Sequence, residues 1–350
     1  MKFNPVSVAL EERFLLQKEY LGENKPVNQI HPLVSVTVAT YQHVNYIKQC
    51  LEGILMQKTN FPYEIIVGED GSVDGTQDIC KEYAEKYPDK IRLYIRDRKL
   101  SQFVAENGEV TRFNGIWNRM SARGKYIAWC EGDDYWIDPL KLQKQFDFLE
   151  SHLDYGLVHT DFNIISESNI KEYRIRRKLD ERQNVLEQIL LGNYDIGTLT
   201  VMFRKDLYDS LPKYYLSKKF PMGDLPLWIE FAVVAKIKYI SDVTANYRRL
   251  DSSASHSTNF CKRMAFIDAL FDCRLYYLQK LGFFQLEDQL MRSRILIKLK
   301  IAAIERKKKE SRLFFFAFLK KNNMKISLKS LYYLFVAYCP FISKVLSRVL

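Results

Sequence analysis

Apolar and amphipathic segments alternate along the first half of the chain. Residues 32–39 and 63–67 are apolar and β-branched, which predicts two buried strands. Residues 46–57 between them carry apolar side chains at helical spacing, and further apolar segments follow at 91–95 and 126–129. Strands that alternate with helices predict an α/β fold with a mainly parallel sheet flanked by helices.

The pattern changes after residue 150 and again near residue 259. Short apolar segments predict strands at 157–160, 162–165, 198–203, 238–240 and 244–248. Beyond residue 259 the apolar spacing is helical throughout. These changes predict three regions: an N-terminal extension over residues 1–31, an α/β domain over 32–258, and a helical C-terminal region over 259–350.

Composition narrows the class of protein. A hydrophobic content of 47% and an aromatic content of 14% indicate a packed core and not a disordered chain. The six cysteines are scattered without a Cys-x-x-Cys pair, which indicates free thiols in a reducing compartment. The N-terminus does not resemble a secretory signal, and no apolar run approaches the roughly 20 residues that cross a bilayer. We therefore expect a cytoplasmic protein.

The net charge of +11 arises in the C-terminal region. Residues 292–350 contain 15 Lys and Arg against Glu305 and Glu310, so this region alone carries +13. Basic clusters there alternate with apolar runs such as residues 313–319, a pattern typical of helices that lie in an anionic membrane interface. The alternative is a helical subdomain with a solvated basic face. Nucleic-acid binding is not expected, because the chain carries no recognised reader motif.

Acidic residues directly follow two of the predicted strands. Glu69 and Asp70 end one strand, and Glu131, Asp133 and Asp134 end another. The carboxyl ends of strands are where open α/β sheets bind ligands. Glu131 and Asp133 are two residues apart, so in an extended backbone they point the same way and offer two oxygen ligands to Mg²⁺ or Mn²⁺. The alternatives are a solvated acidic turn at 131–134 and an Asx-type turn after Glu69.

Three motifs together resemble those of family 2 glycosyltransferases. They are VSVTVATY at 34–41, EDGSVDGT at 69–76 and EGDD at 131–134, in the order and at the strand ends typical of that family. The resemblance covers about residues 32–256 and implies a GT-A fold, a Rossmann-like α/β sheet flanked by helices. It also implies an inverting, metal-dependent transfer of a sugar from a nucleotide-diphosphate sugar, with a UDP-sugar as the expected donor. The expected acceptor is a hydroxyl of a glycan or a lipid-linked sugar in surface polysaccharide biosynthesis, at the inner face of the plasma membrane.

The resemblance assigns nucleotide-sugar binding to four residues. Thr40 and Tyr41 match the loop that packs on the nucleotide base. Asp70 matches the acid that hydrogen-bonds the base or the ribose, and Asp134 is expected to point towards the donor sugar or the backbone.

Metal binding is assigned to the second acidic motif. Glu131 and Asp133 match the acid-x-acid motif that holds Mg²⁺ or Mn²⁺ on the donor diphosphate, with Glu131 standing where Asp is commoner. His256 follows the last predicted strand, and the resemblance implies a metal or diphosphate contact there, the alternative being a bystander in a polar loop. His43, His152 and His159 have no partner at ligand spacing and predict no site.

Inverting transfer also needs a base. A carboxylate must take the proton of the acceptor hydroxyl as that hydroxyl attacks C1 of the sugar, opposite the leaving diphosphate. Asp224, in GDLPLW at 223–228, resembles the family's late acidic motif and is the candidate base. The alternative is an N-cap on the helix predicted at 225–234, and the two roles can coexist.

Two other classes of protein compete with this prediction. A sugar nucleotidyltransferase would carry a glycine-rich, arginine-bearing loop after the first strand, where this chain has ATYQH at 39–43. A non-catalytic GT-A-like scaffold could bind membrane through the C-terminal region, although intact Asp70, Asp133 and Asp224 argue against it. The chain lacks the GxxxxGK and GxGxxG motifs, so an NTPase or a dehydrogenase is disfavoured.

Overall fold

The computed structural model describes residues 5–22, 28–106, 110–166, 171–172, 184–213, 220, 222–250 and 259–338. Its strands are β1 (Val34–Thr40), β2 (Tyr63–Glu69), β3 (Ile91–Ile95), β4 (Gln102–Val104), β5 (Val110–Arg112), β6 (Tyr126–Glu131), β7 (Tyr135–Trp136), β8 (Tyr155–Ile165), β9 (Lys171–Glu172), β10 (Met202–Arg204) and β11 (Lys236–Arg248). Its helices are α1 (Pro5–Phe14), α2 (Ile47–Leu55), α3 (Thr76–Lys86), α4 (Asn114–Met120), α5 (Lys141–Ser151), α6 (Val185–Leu190), α7 (Lys205–Ser210), α8 (Asp224–Val234), α9 (Phe260–Lys280), α10 (Glu287–Ile304), α11 (Lys308–Lys321) and α12 (Leu328–Tyr338).

The main sheet is mostly parallel, as the sequence predicts. Eight of its strands follow the order β3-β2-β1-β6-β10-β8-β11-β7. The first four are parallel to one another, and β8 is parallel to β11. Strand β10 is antiparallel to both of its neighbours, and β7 is antiparallel to β11.

Burial explains why β1 and β2 have almost continuous apolar sequences. All seven residues of β2 and six of the seven residues of β1 are buried, because helices cover both faces of a parallel sheet. Helix α2 supplies one such cover, with Ile47, Cys50, Leu51 and Ile54 fully inaccessible in the same core as β1 and β2. The predicted amphipathic helix at 46–57 is therefore confirmed, with ends one or two residues inside the predicted ones.

The segment predicted as a strand over 198–203 is only partly extended. Thr198–Thr200 form a 3₁₀ helix, and β10 begins at Met202. The Thr200 hydroxyl donates to the carbonyl of Gly197 at 2.6 Å, a local bond that competes with strand pairing. The first half of this prediction was wrong because its threonines favour a turn of this kind as well as a strand.

A buried arginine joins the sheet to a helix behind it. Arg96 follows β3, is 4% exposed, and donates to the carbonyl of Asn114 at 2.9 Å and to Asn118 Oδ1 at 2.6 Å. Its guanidinium lies against Gly68 of β2, where the absence of a Cβ atom makes room for it. Burial lowers the pKa of Arg96 to about 9.

The N-terminal extension packs on the α/β unit. Leu10 of α1 joins Phe113 and Trp117 in a small apolar cluster, and the Trp117 indole donates to the carbonyl of Leu10 at 3.0 Å. Further along, the Tyr20 amide donates to the carbonyl of Leu93 in β3 at 2.7 Å. The extension thus adds a cover to the edge of the sheet that β3 forms.

The chain divides into two compact units. One comprises residues 1–169, 196–219 and 230–248, and the other comprises 170–195, 220–229 and 249–350. The second unit contains α9 to α12, with a core that includes Phe271, Leu278 and Leu290. Among the described residues, no helix combines the length and the apolar character needed to cross a membrane. The region boundaries predicted from sequence remain predictions.

Candidate active site

The carboxyl ends of three parallel strands lie side by side. Thr40, the last residue of β1, is opposite Glu69 of β2, and Ala39 is opposite Glu131 of β6. The two acidic motifs therefore meet at one edge of the sheet, as their positions after two strands predict. The loop that follows β1 lies at the same edge.

Hydrogen bonds tie the loop after β1 to the loop after β2. The backbone amide of Gln42 donates to Ser72 Oγ at 2.9 Å, and that of His43 donates to Thr76 Oγ1 at 2.8 Å. Gln42 has a φ of 56°, a left-handed conformation that is uncommon for a residue other than glycine. Asp74 accepts from the amides of both Val44 and Thr76, so it serves the loop and the start of α3 together.

Glu69 closes its own turn. Its carboxylate is fully buried and accepts from the amides of Gly71 and Ser72 at 3.2 and 2.8 Å, and from Gln77 Nε2 at 3.3 Å. Gly71 has a φ of 75°, which suits a residue without a side chain. The Glu69 carboxylate is therefore engaged inside the protein, within the turn that follows its own strand.

Asp70 belongs to a cluster with an arginine and a tyrosine. Its carboxylate accepts from Arg98 Nη1 at 2.9 Å and from the hydroxyl of Ser101. Burial raises the pKa of Asp70, while the bond from Ser101 and the charge of Arg98 oppose that shift. The Arg98 guanidinium lies 3.3 Å from the centre of the Tyr41 ring. Sequence reasoning missed Arg98, although its place just after β3 puts it at the same edge.

The second acidic motif packs against the end of β1. A Cβ atom on Gly132 would lie 2.7 Å from Thr40 Oγ1 and 2.9 Å from His43 Nδ1, so this approach requires glycine. Thr40 itself is 2% exposed, and its hydroxyl lies 3.2 Å from His43 Nδ1. The Asp133 carboxylate is 24% exposed, with Oδ2 lying 4.0 Å from His43 Nε2. Burial lowers the pKa of His43, and the charges of Asp133 and Asp74 oppose the shift.

Asp134 anchors the motif to strand β11. It is 3% exposed, and its Oδ1 accepts from the backbone amide of Arg248 in β11 at 2.7 Å. Burial raises the pKa of Asp134 well above its usual value, and the nearby charges of Asp133 and Glu131 raise it further. The Arg248 side chain donates in turn to the carbonyl of Asp133 at 3.0 Å. The donor-sugar role of Asp134 stays a prediction.

The second acidic motif provides part of a binding site for a divalent cation. Within the residues that the structure describes, no group of three or more His, Cys, Asp and Glu could hold a metal ion. Glu131 and Asp133 are both close enough to Asp134 to affect its pKa, and Asp133 is open to solvent. Carboxylate oxygens suit Mg²⁺ or Mn²⁺, ions that take substrate phosphates as further ligands, so the two residues fit a cation shared with a diphosphate. His256 lies outside the described residues.

Asp224 begins helix α8 in the second unit. Its side chain is half-buried, and Oδ1 accepts from the amide of Leu225 at 2.8 Å. A carboxylate in the first turn of a helix interacts favourably with the helix dipole, so a role in starting the helix is supported. The role as a catalytic base stays a prediction.

Comparison with known proteins identifies the family. The family model described as Glycosyl transferase family 2 matches residues 35–211, slightly more than half of the chain. An uncharacterized protein of Mycobacterium tuberculosis is 32% identical over 225 residues, which are 64% of this chain and 61% of that protein. A Bacillus subtilis protein named as a teichuronic acid biosynthesis glycosyltransferase, TuaG, is 25% identical over 225 residues, which are 64% of this chain and 82% of that protein.

Solved structures share the fold. Staphylococcus aureus TarS 1-349, in complex with UDP-GlcNAc, superposes with a TM-score of 0.56 at 15% identity and covers 90% of this chain and 91% of its own. The mannosyltransferase PcManGT of Pyrobaculum calidifontis, in complex with GDP-Man and Mn²⁺, has a TM-score of 0.50 at 16% identity and covers 99% of this chain and 95% of its own.

A mainly parallel sheet with a C-terminal helical region and acids at its carboxyl edge defines a GT-A α/β protein. The chain belongs to glycosyl transferase family 2. The predictions of that family, of its fold and of a glycosyltransferase enzyme are thereby confirmed. The chain spans 61% of the length of the first relative above, so the substrates and partners of the whole protein belong among the proposals.

Proposed function

We propose that the protein transfers a sugar from a nucleotide-diphosphate sugar to a hydroxyl of a glycan or lipid-linked acceptor. The observation that carries this proposal is the register of β1, β2 and β6, which places the Tyr41, Asp70 and Arg98 cluster beside Asp133 at one sheet edge. The bound donors of TarS and PcManGT, UDP-GlcNAc and GDP-Man, support a nucleotide sugar as substrate. The name of TuaG supports a surface polysaccharide as product.

The chemistry of the cluster around Asp70 suits a nucleotide base. The Tyr41 ring offers a flat face for stacking, and a carboxylate such as that of Asp70 accepts from the ring N–H of uracil or guanine. Arg98, held by Asp70 at 2.9 Å, adds a planar donor able to bind a base carbonyl or a phosphate oxygen. Thr40 contributes by shaping the loop, since its hydroxyl faces His43 inside the protein.

Glu131 and Asp133 would hold Mg²⁺ or Mn²⁺ on the diphosphate, with His256 a further candidate contact. When bound, such an ion offsets the negative charge that develops on the leaving group. Asp224 takes the proton of the acceptor hydroxyl while its oxygen forms a bond to C1 and the bond from C1 to the diphosphate breaks. Attack from the side opposite the leaving group inverts the configuration at C1.

A panel of nucleotide sugars tests the proposal. UDP- and GDP-linked sugars are each incubated with the protein and Mn²⁺ or Mg²⁺, and slow release of the nucleoside diphosphate is measured. We expect one donor to be hydrolysed, with the activity lost on adding a chelator. If no donor reacts and neither UDP nor GDP with Mn²⁺ raises the unfolding temperature, the proposal is overturned in favour of the non-catalytic scaffold.

We also propose that the C-terminal helices rest on an anionic membrane at its cytoplasmic face. An open groove of about 1110 Å³ is lined by apolar side chains of α11 and α12, together with Arg312 and Lys329. Phe316, Leu331 and Phe335 line it and are 64%, 48% and 52% exposed. Exposed apolar side chains beside cations fit a surface of anionic lipids, where a lipid-linked acceptor would also lie.

These exposed faces are distinct from the packed faces of the same helices. Phe315 and Leu319 of α11 and Tyr333 and Val336 of α12 are buried together in the core of this helical region. The outward residues are therefore not needed to hold the helices to each other. The excess positive charge of residues 292–350 adds attraction of about 1 kcal/mol for each basic residue that comes near an anionic surface.

Vesicle binding should depend on the outward face of α12. The double change Leu331→Glu with Phe335→Glu places two charges on this face and is expected to lower binding at least about 10-fold, since each apolar side chain buried contributes about 1.5–3 kcal/mol. Binding is measured by sedimentation with vesicles of phosphatidylglycerol and phosphatidylcholine. Leu153→Glu, at a leucine 79% exposed in the other unit, is the matched control. An equal loss in both variants, or no binding by the native protein, would refute the membrane proposal.

A further inference from the structure

His43 connects three parts of the sheet edge. Its backbone amide donates to Thr76 Oγ1 at 2.8 Å, which fixes the residue to the start of α3. Its Nδ1 lies 3.2 Å from the Thr40 hydroxyl at the end of β1, and its Nε2 lies 4.0 Å from Asp133 Oδ2. The ring also packs against Gly132, where any side chain would collide with it. One imidazole thus lies beside the end of β1, Gly132 and the carboxylate of the proposed cation ligand Asp133.

We propose that His43 is a positioning residue that holds the turn at residues 131–133 and directs the Asp133 carboxylate towards the cation. This inference rests on the proposed function, because it concerns the same metal-dependent site. The spacing of residues in the sequence predicts no ligand partner for His43, because Thr76 and Asp133 come from distant segments that the strand alignment brings to it.

The two ring nitrogens have separate tasks in this arrangement. Nδ1 faces the Thr40 hydroxyl, which fixes the ring plane, and Nε2 faces Asp133. The 4.0 Å separation is longer than the 2.7–3.2 Å typical of an N–H···O hydrogen bond, so the oxygens of Asp133 stay available for a cation. Side chains that lie behind the ligands of a metal ion orient those ligands and tune the affinity for the metal.

Arg248 also holds Asp133, through its backbone. Arg248 Nε donates to the Asp133 carbonyl at 3.0 Å, and Arg248 Nη2 donates to Gln49 at 2.7 Å. Arg248 therefore holds the backbone of Asp133. His43 is the residue whose side chain lies beside the Asp133 carboxylate. A change at His43 should affect the direction of the carboxylate more than the position of the loop.

Two substitutions of His43 separate the tasks of its nitrogens. The amide of His43→Gln reaches the position of Nε2, near Asp133, whereas the shorter amide of His43→Asn reaches only the position of Nδ1, near Thr40. We expect His43→Asn to weaken Mn²⁺ binding about 10-fold, as loss of such an outer contact typically does. His43→Gln should retain most of the affinity, with a loss below about 3-fold on the same grounds.

Mn²⁺ binding is measured by the electron paramagnetic resonance signal of free Mn²⁺, with UDP present in one series and GDP in another. Unfolding temperatures are recorded for every variant, and His152→Asn, at an exposed histidine that contacts its own helix, is the control. Equal Mn²⁺ binding in all variants, or equal loss in both His43 variants together with a lower unfolding temperature, overturns the positioning role. A native protein that binds no Mn²⁺ with either nucleotide instead overturns the proposed cation, and the role of His43 with it.

Discussion

Asp133→Asn is expected to lower turnover of the donor by at least about 10³-fold, and to remove its dependence on Mn²⁺ or Mg²⁺. The substitution keeps the shape of the side chain but removes the charge that the partly exposed carboxylate presents at the sheet edge. A cation at a leaving diphosphate contributes several kcal/mol to the transition state, and each 1.4 kcal/mol is a factor of about ten in rate. The measurement is kcat/KM for hydrolysis of the donor that the nucleotide-sugar panel identifies.

Two matched substitutions distinguish the loss of the cation at Asp133 from other causes of lower turnover. Asp224→Asn should retain stabilisation by nucleotide and Mn²⁺ but lose transfer to the acceptor, because a base acts on the acceptor hydroxyl and not on the cation. Asp134→Asn makes the same change one residue after Asp133, at a buried side chain whose amide oxygen can still accept from the Arg248 amide, so this variant should retain the dependence on Mn²⁺. Equal losses of Mn²⁺ dependence in all three variants would contradict the assignment of the cation to Asp133.

The sheet and its functional edge could be predicted because they depend on short-range patterns. Strands β1 and β2 were predicted at 32–39 and 63–67 and lie at Val34–Thr40 and Tyr63–Glu69. Because these strands are buried along their length, their sequences are apolar. The acids that follow β2 therefore lie at the edge of the sheet where the strand ends. The two strands predicted within 157–165 form the single strand β8.

The partners of the acids could not be predicted, because they come from distant loops. Glu69 and Asp70 are adjacent in sequence, yet Glu69 turns inward to three local donors while Asp70 meets Arg98 and Ser101 from the segment after β3. A one-residue step reverses the direction of a side chain near the end of a strand, so two acids in a row rarely share a task. The sequence alone does not show which of the two faces the site.

Short elements were missed for a related reason. Strand β7 has two residues, and its pairing with Ala245 and Asn246 of β11 depends on the turn formed by the EGDD motif. Strands β4 and β5, three residues each, pair with each other in a two-stranded sheet. Segments this short carry too few side chains for a period of two to be recognised.

Gly68→Ala is expected to lower the free energy of unfolding by more than about 3 kcal/mol, because overpacking alone costs about 1–3 kcal/mol and loss of a buried charged contact adds to it. A Cβ atom there would overlap the Arg96 guanidinium and the side-chain oxygens of Asn114 and Asn118. Arg96 cannot move aside cheaply, since it is buried and its Nη1 donates to both asparagines. Urea unfolding, followed by circular dichroism, measures the change.

Gly115→Ala provides the matched control for that steric argument. Gly115 lies in α4 next to Asn114, but the nearest atom to an added Cβ is Arg119 Nη1 at 3.6 Å, an ordinary van der Waals distance. Alanine is favoured over glycine in a helix by about 0.5–1 kcal/mol, so this variant should be as stable as the native protein or slightly more so. Similar unfolding energies for Gly68→Ala and Gly115→Ala would mean that Arg96 has room to relax, and that the close packing of β2 on α4 does not depend on the missing side chain.

The Gly68→Ala substitution should also affect the active site. The amide of Arg96 donates to the carbonyl of Glu69 at 2.8 Å, so displacement of Arg96 should shift the loop that carries Asp70 and weaken binding of the donor.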